Sequence, residues 1–576
     1  MLGRQFEQPR LMSQQDHFSR VPTVSAPRSS FSLDHQHKTT LNEGKLVPIL
    51  LQEVLPGDTF KCTATTFGRL LAQKVPVMDN IYADIHFWFV PNRLVWSHWV
   101  NFNGEEAVPS GITPQPTYVV PVVDWTHTGS PVSVEVGSIA DYFGLPIGTV
   151  MGASQEKISA LPFRALCLIY DEWYRDENFG APRFNGPSGV GMGDGPDDAW
   201  AQGFYNAAGL MNRWKRKDYI TSCLPWTQKG TAPTLPLGTT ANVYTAAVTS
   251  GSAGGNWWQA WRADGTRTGG GVNVNNNATT ASRTLYGGAL ADSTNTASRF
   301  ALGTAADYAA NPSYTPPYAD LANAIGPTVT AMRQAVAIQQ FLENQARGGT
   351  RYTEMLSHRF GVTNPDARLQ RPEFLGGGST MLNQAPIPQT SETNAGVSPQ
   401  GNLAAIATMS QKAGFAQSFT EHGYIIGLIS IRADITYQNR IDRHWSRQTL
   451  YDFYQPEFAH ISEQAVYRRE VSAVSVGATN AEAFGYQEAW ADYRSKLSLI
   501  TGQFRSQAAS SLDVWHLAQD LGSGAPALTA SFLYESPPIS RLVAVTTQPH
   551  FQLDVSFKMS AARVMPVFSV PGLGKL

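Results

Sequence analysis

The chain predicts an all-β core, and three observations carry that prediction. Ile81, Ala83, Ile85, Phe87 and Phe89 alternate with Tyr82, Asp84, His86 and Trp88, the period of two that turns one face of a strand to a core. The alternation returns far along the chain, from Tyr424 to Tyr437 (Ile425, Ile429, Ile431, Ala433 and Ile435 on one face). It returns again from Phe551 to Ser560. Strands at both ends with a long middle looped out between them predict a closed Greek-key or jelly-roll architecture. The alternative is several small, unrelated β domains.

Residues 1–44 read as an extended N-terminal arm. Arg4, Arg10, Arg20 and Arg28 are scattered among Gln, Ser and Pro without apolar periodicity, so order there needs a partner. Asp34, His35 and His37 lack a third well-spaced ligand, which favours polar packing over a metal site. The next region, 45–229, opens with a strand, a turn at Leu55-Pro56-Gly57-Asp58, a strand over Thr59 to Phe67, and the long Ile81 strand. A Pro- and Val-rich connector, Val108 to Val136, follows. Leu166, Ile169, Tyr170 and Trp173 then recur at helical spacing over Ala165 to Glu177, with Pro162 suited to the first turn and Ser159 as a cap. Asp171, Glu172, Asp176 and Glu177 form a solvated or inter-subunit face in preference to a catalytic carboxylate pair. The acidic loop Gly189 to Asp198 has neither the spacing nor the strand-to-helix context of a dinucleotide loop. Calcium is one ligand its Asp oxygens would suit, but a plain turn is the favoured reading.

Arg213, Trp214, Lys215, Arg216 and Lys217 make the one dense basic cluster, with an aromatic inside it. Two readings stand side by side. The cations neutralise nucleic-acid phosphates while the indole stacks on a base, or the patch meets an acidic face of a neighbouring subunit. From 230 to 311 the chain turns to Gly, Ala, Thr, Asn and Ser with few large aliphatic residues, too long for an ordinary loop. Trp257, Trp258 and Trp261 stand out in it, either as a contact surface or as an internal staple. In the last region, 312–576, Ala331, Ala335, Ile338 and Leu342 share a helical face that ends at Gly348-Gly349. A second helix is expected over Arg351 to Phe360, and a short one at Val514, Leu517 and Leu521, capped by Ser511. Gly376 to Thr380 is glycine-rich without the Gly-Lys pair of a phosphate loop. Arg541 to Thr547 reads as a β-branched run and 567–576 as an extended tail.

Across 576 residues the charged fraction is only 15%, with 50 Gly, 36 Pro and a net charge of −2. The total charge therefore gives no nucleic-acid signal, and an aromatic, weakly charged surface is the kind that copies of one chain bury against each other. Cys62, Cys167 and Cys223 are too few and scattered for a disulfide framework or a zinc site, and fit folding in a reducing cytosol. No signal peptide is expected, no stretch is long and apolar enough to cross a bilayer, and no cofactor-binding motif is present.

Blocks in order along nearly the whole chain resemble the major capsid protein of Microviridae bacteriophages, in the gokushovirus branch. Among them are VLPGDTF (Val54 to Phe60), FVPNRLVW (Phe89 to Trp96), DEWYRDEN (Asp171 to Asn178), GDGPDD (Gly193 to Asp198) and ARGGTRYTE (Ala346 to Glu354). FGVTNPDARLQRPEFLGGGST (Phe360 to Thr380), DRHWSRQTLYDFYQPEFAH (Asp442 to His460), DVWHLAQ (Asp513 to Gln519) and MPVFSVPGL (Met565 to Leu573) complete the pattern. The segment 230–311 does not match and sits where that branch carries a variable insertion.

The resemblance implies a single eight-stranded antiparallel jelly roll of viral capsid type, with large loop insertions containing several short helices. It implies self-assembly into a T=1 icosahedral shell around a circular single-stranded DNA genome, with the insertion as a threefold protrusion that contributes to host attachment. The implied partners are copies of the chain, the genome, a small basic internal DNA-binding protein, scaffolding and pilot proteins, and a host surface receptor. The implied location is the virion, assembled in the host bacterial cytoplasm. A structural rather than enzymatic role follows. The rival reading is a polysaccharide-binding or polysaccharide-cleaving β-sandwich, which would need two facing carboxylates.

Overall fold

The alternating stretches become two antiparallel sheets stacked face to face. The computed structural model describes residues 27–105, 117–128, 130–148, 150–151, 157–187, 189–234, 243–244, 257–261, 267–273, 318–319, 328–349, 351–362, 370–391, 400–473, 478–521 and 526–568. The chain divides into two units, Met1–Lys229 with Gln345–Leu576, and Gly230–Asn344.

In the first unit the strands are β1 (Ser29–Ser32), β2 (His35–Leu41), β3 (Val47–Val54), β4 (Thr59–Leu70), β5 (Ile81–Pro91) and β6 (Glu373–Met381). They continue with β7 (Asn383–Pro388), β8 (Leu403–Ser418), β9 (Gly423–Ala433), β10 (Glu463–Tyr467), β11 (Ala483–Glu488) and β12 (Phe551–Arg563). One sheet runs β12-β4-β8-β7, with β1 and β2 both laid along the free edge of β12; the other runs β6-β5-β9-β3. Every pairing within these two sheets is antiparallel. The chain ends do meet in one sheet, since Phe557 pairs with Ala64 on β4 and with His35 on β2. Residues 29–41, expected to belong to an arm seeking a partner, are ordered by a strand of their own chain.

The space between the sheets is filled by Phe60 and Ala64 of β4, Met409 and Phe415 of β8, and Val555 and Phe557 of β12. Against them stand Ile85 and Phe87 of β5 and Ile425 and Ile429 of β9. The rings of Phe87 and Phe415 meet across the gap at 5.3 Å. Each such side chain removed from water contributes roughly 1.5–3 kcal/mol. The glycine-rich stretch is explained here. Gly376 of β6 lies against the backbone of β8, where an added Cβ would sit 2.6 Å from the Gly414 carbonyl oxygen. Backbone proximity between the two sheets, not phosphate binding, uses these glycines.

The other face of β5 and β9 is buried as well. Trp88, Val90, Ile426 and Leu428 pack on the helix α1 (Leu161–Ile169) through Phe163, Leu166 and Ile169. Pro162 occupies the first turn of α1 as expected, but the cap position is Ala160 and not Ser159, whose Oγ accepts from the Leu161 amide at 3.3 Å. The helix ends sooner than its periodicity predicted, passing into a wider turn over Tyr170–Tyr174. Arg164, on the same helix, is 1% exposed. Its Nε and Nη2 donate to the two oxygens of Asp197 at 2.7 and 3.0 Å, and its remaining donors reach the carbonyls of Val95, Gly193 and Gly195. One buried guanidinium thus holds the acidic loop, while Asp198 caps a short helix at Ala199–Gln202.

Two sequence expectations are corrected. The Val514 to Leu521 stretch makes only a 3-10 turn at Asp513–Trp515, because Leu517 is drawn into the sheet core. Arg541 to Thr547 forms no strand. It follows a 3-10 turn at Ile539–Arg541, and Val543 is buried beside Gln73. The expected helices are present as α2 (Val329–Arg347) and α3 (Tyr352–Phe360), although Ile338 of α2 is exposed. In the second unit, Trp257–Trp261 pairs antiparallel with Arg267–Asn273, and Val243–Tyr244 with Tyr318–Ala319.

Candidate assembly surface

The basic cluster is largely consumed inside the first unit. Arg213 reaches Asp84 Oδ2 at 2.6 Å and the Ser430 hydroxyl, while Arg432 donates to the same Asp84 oxygen at 2.8 Å. Burial pulls the Asp84 carboxyl upward, but Arg213, Ser379 and Arg432 outweigh it and hold its pKa below the ordinary value. Trp214 is buried, donating to the Tyr170 hydroxyl at 2.9 Å and meeting the edge of Tyr534. It therefore has no face left for a nucleic-acid base. Lys215 is buried too, donating to Gln519 Oε1 at 2.7 Å and the Phe532 carbonyl at 2.5 Å, with its ammonium over the Phe532 ring. Burial lowers its pKa to about 8 against the opposing pull of Glu535 and Asp218. Lys217 is exposed and paired with Asp176; Arg216 is exposed. Only these two of the four cations are exposed. Trp257, Trp258 and Trp261 lie on the strand Trp257–Trp261, and most of 230–311 falls outside the described residues.

The carboxylates singled out by sequence are committed to cations or amides. Asp171 accepts from the Arg183 and Phe184 amides at 3.0 and 2.6 Å, and Glu177 pairs with Arg351 at 2.6 Å. Glu172 faces the same arginine. Asp176 and Glu177 line a cleft of about 410 Å³ together with Arg347 and Glu463, themselves an ion pair. His35 and His37 turn to the Leu33 and Ile49 carbonyls, and Asp34 accepts from the Met559 amide. Among the described residues, no three His, Cys, Asp or Glu side chains gather as a metal site, and no helix is long and apolar enough to cross a membrane.

The most distinctive surface lies between Arg440 and Leu499, in a region of 3-10 turns at Arg443–Ser446, Leu450–Asp452 and Pro456–Phe458. Trp445, Leu450 and Tyr451 are 77%, 68% and 73% exposed, Phe453, Tyr454, Ile461 and Tyr493 of the same region are exposed too, and the Tyr454 and Tyr493 ring centres lie 6.3 Å apart. Large apolar side chains gathered in the open mark a contact site. The backbone beneath is held from below. Arg447 pairs with Asp492 and lies 4.1 Å from the Tyr493 ring centre. Trp490 takes the left-handed region at φ 64°, which a bulky residue occupies only under constraint. Its indole nitrogen donates to the Phe458 carbonyl at 2.9 Å, and Tyr454 meets its ring edge-on. Arg443 donates to the Ala465 carbonyl at 2.8 Å, anchoring the turns to the hairpin β10–β11. That hairpin rests on a small core of Ile220, Cys223, Tyr437, Val466, Val471 and Phe484. Aromatic side chains preset on a braced backbone lose little conformational freedom on docking.

Sequence periodicity missed this platform because its apolar residues follow neither a helical nor a strand period. Their density in an irregular stretch, with Trp445, Leu450, Tyr451, Phe453 and Tyr454 within Asp442 to His460, was the available signal.

The two-sheet antiparallel sandwich with heavy insertions and an open aromatic surface defines a β-sandwich protein equipped to meet a partner. Comparison with known proteins supplies the family: residues 19–573 match the family described as capsid protein (F protein). Capsid protein VP1 of Bdellovibrio phage phiMH2K is 41% identical over 97% of this chain and 97% of its own length. Capsid protein VP1 of Chlamydia phage 1 is 39% identical over 97% and 98%, and that of Spiroplasma virus 4 is 34% identical over 97% and 98%. The chain belongs to the phage capsid protein (F protein) family, and its role is that of a structural major capsid protein of the virion.

Proposed function

We propose that copies of this chain close into a T=1 icosahedral shell around a circular single-stranded DNA genome, using the Arg440 to Leu499 platform as a principal subunit contact. The observation that carries the contact is the platform itself. Its aromatic side chains are open in the isolated chain, yet the backbone under them is fixed by Arg447, Trp490 and Arg443. Such a surface marks a site that a partner covers, and closed symmetry supplies the same partner to every copy.

The eight-stranded jelly-roll reading is supported by strand order. Setting aside β1 and the edge strand β7, the sheets are β2-β12-β4-β8 and β3-β9-β5-β6, four strands each, and the chain changes sheet at every step of β2, β3, β4 and β5 and again from β6 to β8, β8 to β9 and β9 to β12. The segment 230–311 is the proposed protrusion that contributes to host attachment, with Trp257, Trp258 and Trp261 as its contact or staple residues. A small basic DNA-binding protein, scaffolding and pilot proteins and a host receptor complete the proposed partners. Nothing favours the polysaccharide reading, whose carboxylates are tied to arginines and amides.

Electron micrographs of the purified chain with its assembly partners test the function. Uniform closed particles are expected; stable monomers under those conditions would contradict it.

A further inference from the structure

The outer face of the six-stranded sheet is open and carries an uneven charge. Residues alternating with the core on β4, β8, β12 and β2 point outward, and Lys61, Arg69, Lys412, Lys558 and Lys38 are exposed among them. The carboxylates beside them are Asp554, which pairs with Lys38 at 3.0 Å, and Asp34, one of whose oxygens takes the Met559 amide. Lys61, Lys412 and Lys558 enter none of the ion pairs formed among the described residues. This imbalance occurs in a chain of net charge −2.

Register fixes how these cations are spaced. Lys558 pairs across from Thr63 and Lys412 from Thr65, while Lys61 lies one outward position below Thr63 on the same strand. With ~3.4 Å per residue along a strand and ~4.8 Å between strands, the three ammonium-bearing residues fall within about 15 Å of each other. Hydroxyls stand between them, from Thr63, Thr65, Ser410, Ser556 and Ser560. Phe67 projects from the middle of the face, 45% exposed, with the Arg69 guanidinium 5.3 Å from its ring centre.

We propose that this face binds single-stranded nucleic acid, the lysines taking phosphates and Phe67 stacking on a base. The inference rests on the capsid reading for the presence of such a partner inside the particle. Lysines and hydroxyls suit any polyanion; the exposed aromatic with an arginine beside it favours one that carries bases. The open sheet takes over one of the two roles that the sequence left open for Arg213 through Lys217.

The test is titration of the full-length protein with fluorescent oligothymidylate across a salt series, comparing wild type with the combined K61Q, K412Q and K558Q variant and with Phe67→Leu. Each phosphate contact contributes about 0.7 to the salt slope on a single strand, so the triple variant is expected to flatten the slope by about 2. Phe67→Leu is expected to weaken binding about tenfold with the slope unchanged. Restoring charge with K61R, K412R and K558R should restore the slope, which separates charge loss from misfolding. Unchanged affinity and slope in both variants would overturn the inference. So would a triple variant that keeps oligothymidylate binding but loses polyglutamate binding, which would assign the face to an acidic protein segment. Micrographs of the same wild-type preparation keep the two claims apart. Absence of shells contradicts the capsid reading, while shells with an unaltered slope in the variants overturn this inference alone.

Discussion

In the four-stranded sheet, β5 and β9 are buried on both faces; in the six-stranded sheet, β4, β8 and β12 bury one face and leave the other in water. The composition follows. β5 and β9 put Trp88, Val90, Ile426 and Leu428 where β4, β12 and β8 put Lys61, Lys558 and Lys412. A strand covered by helices loses the clean alternation of polar and apolar residues that a half-open strand keeps. The cost of covering β5 and β9 is the polar material sealed in with them. Asp84, Arg432, Lys215 and Glu535 are all buried, and burial raises the Glu535 pKa against the Ala433 amide, Lys215 and the neighbouring arginines. The covered sheet is therefore the part of the molecule most sensitive to mutation, and the open sheet the most tolerant.

The sharpest way to break that contrast is in the covering layer. Replacing Arg164 with Met leaves Asp197 buried and unpaired, and chemical denaturation should report a loss of about 3–5 kcal/mol. Next, Phe87→Ala on β5 should cost about 3–5 kcal/mol, whereas Phe67→Ala on the outer face of β4 should stay within about 1 kcal/mol. Similar costs at the two phenylalanines would erase the distinction between the sheets.

A smaller effect comes from pH. Burial depresses Lys215 to about 8, so above that pH the unfolded chain holds a proton that the folded chain has released. The sign follows: stability gains with rising pH through this window, and below about pH 8 the cost of burying the charge is fully present. Urea midpoints of wild type relative to Lys215→Met should rise between pH 7 and 9 by the equivalent of on the order of 1 kcal/mol. A flat difference would show that Lys215 stays charged. Smallest of all in stability, the W445S and Y451S double variant should change the denaturation midpoint of the lone chain by no more than about 0.5 kcal/mol. The same variant should fail to form particles on a sizing column.

Much of the fold was legible because period-two patterning is a property of single strands: β12 alternates cleanly, and β5 and β9, though buried on both faces, still set Asp84, His86, Ser430 and Arg432 between the apolar residues of their inner face. The division into sheets was not, since Gly376 stood out in the sequence only as part of a glycine-rich stretch, and its close approach to Gly414 of the other sheet is a property of the fold. The basic cluster was half legible because adjacent residues in an irregular segment need not share one surface: Trp214 and Lys215 are buried, while Arg216 and Lys217 are exposed. Conversely, Lys61, Lys412 and Lys558 are far apart in the sequence and become a patch only through register. The aromatic platform carries no periodicity at all and is held by single contacts such as Trp490 to Phe458.

Amide hydrogen exchange on assembled particles and on dissociated subunits tests the central claim, that the braced platform is where subunits meet. The account predicts strong added protection of the segment from Arg443 to Ile461 in the particle. Equal exchange of that segment in both states would contradict it.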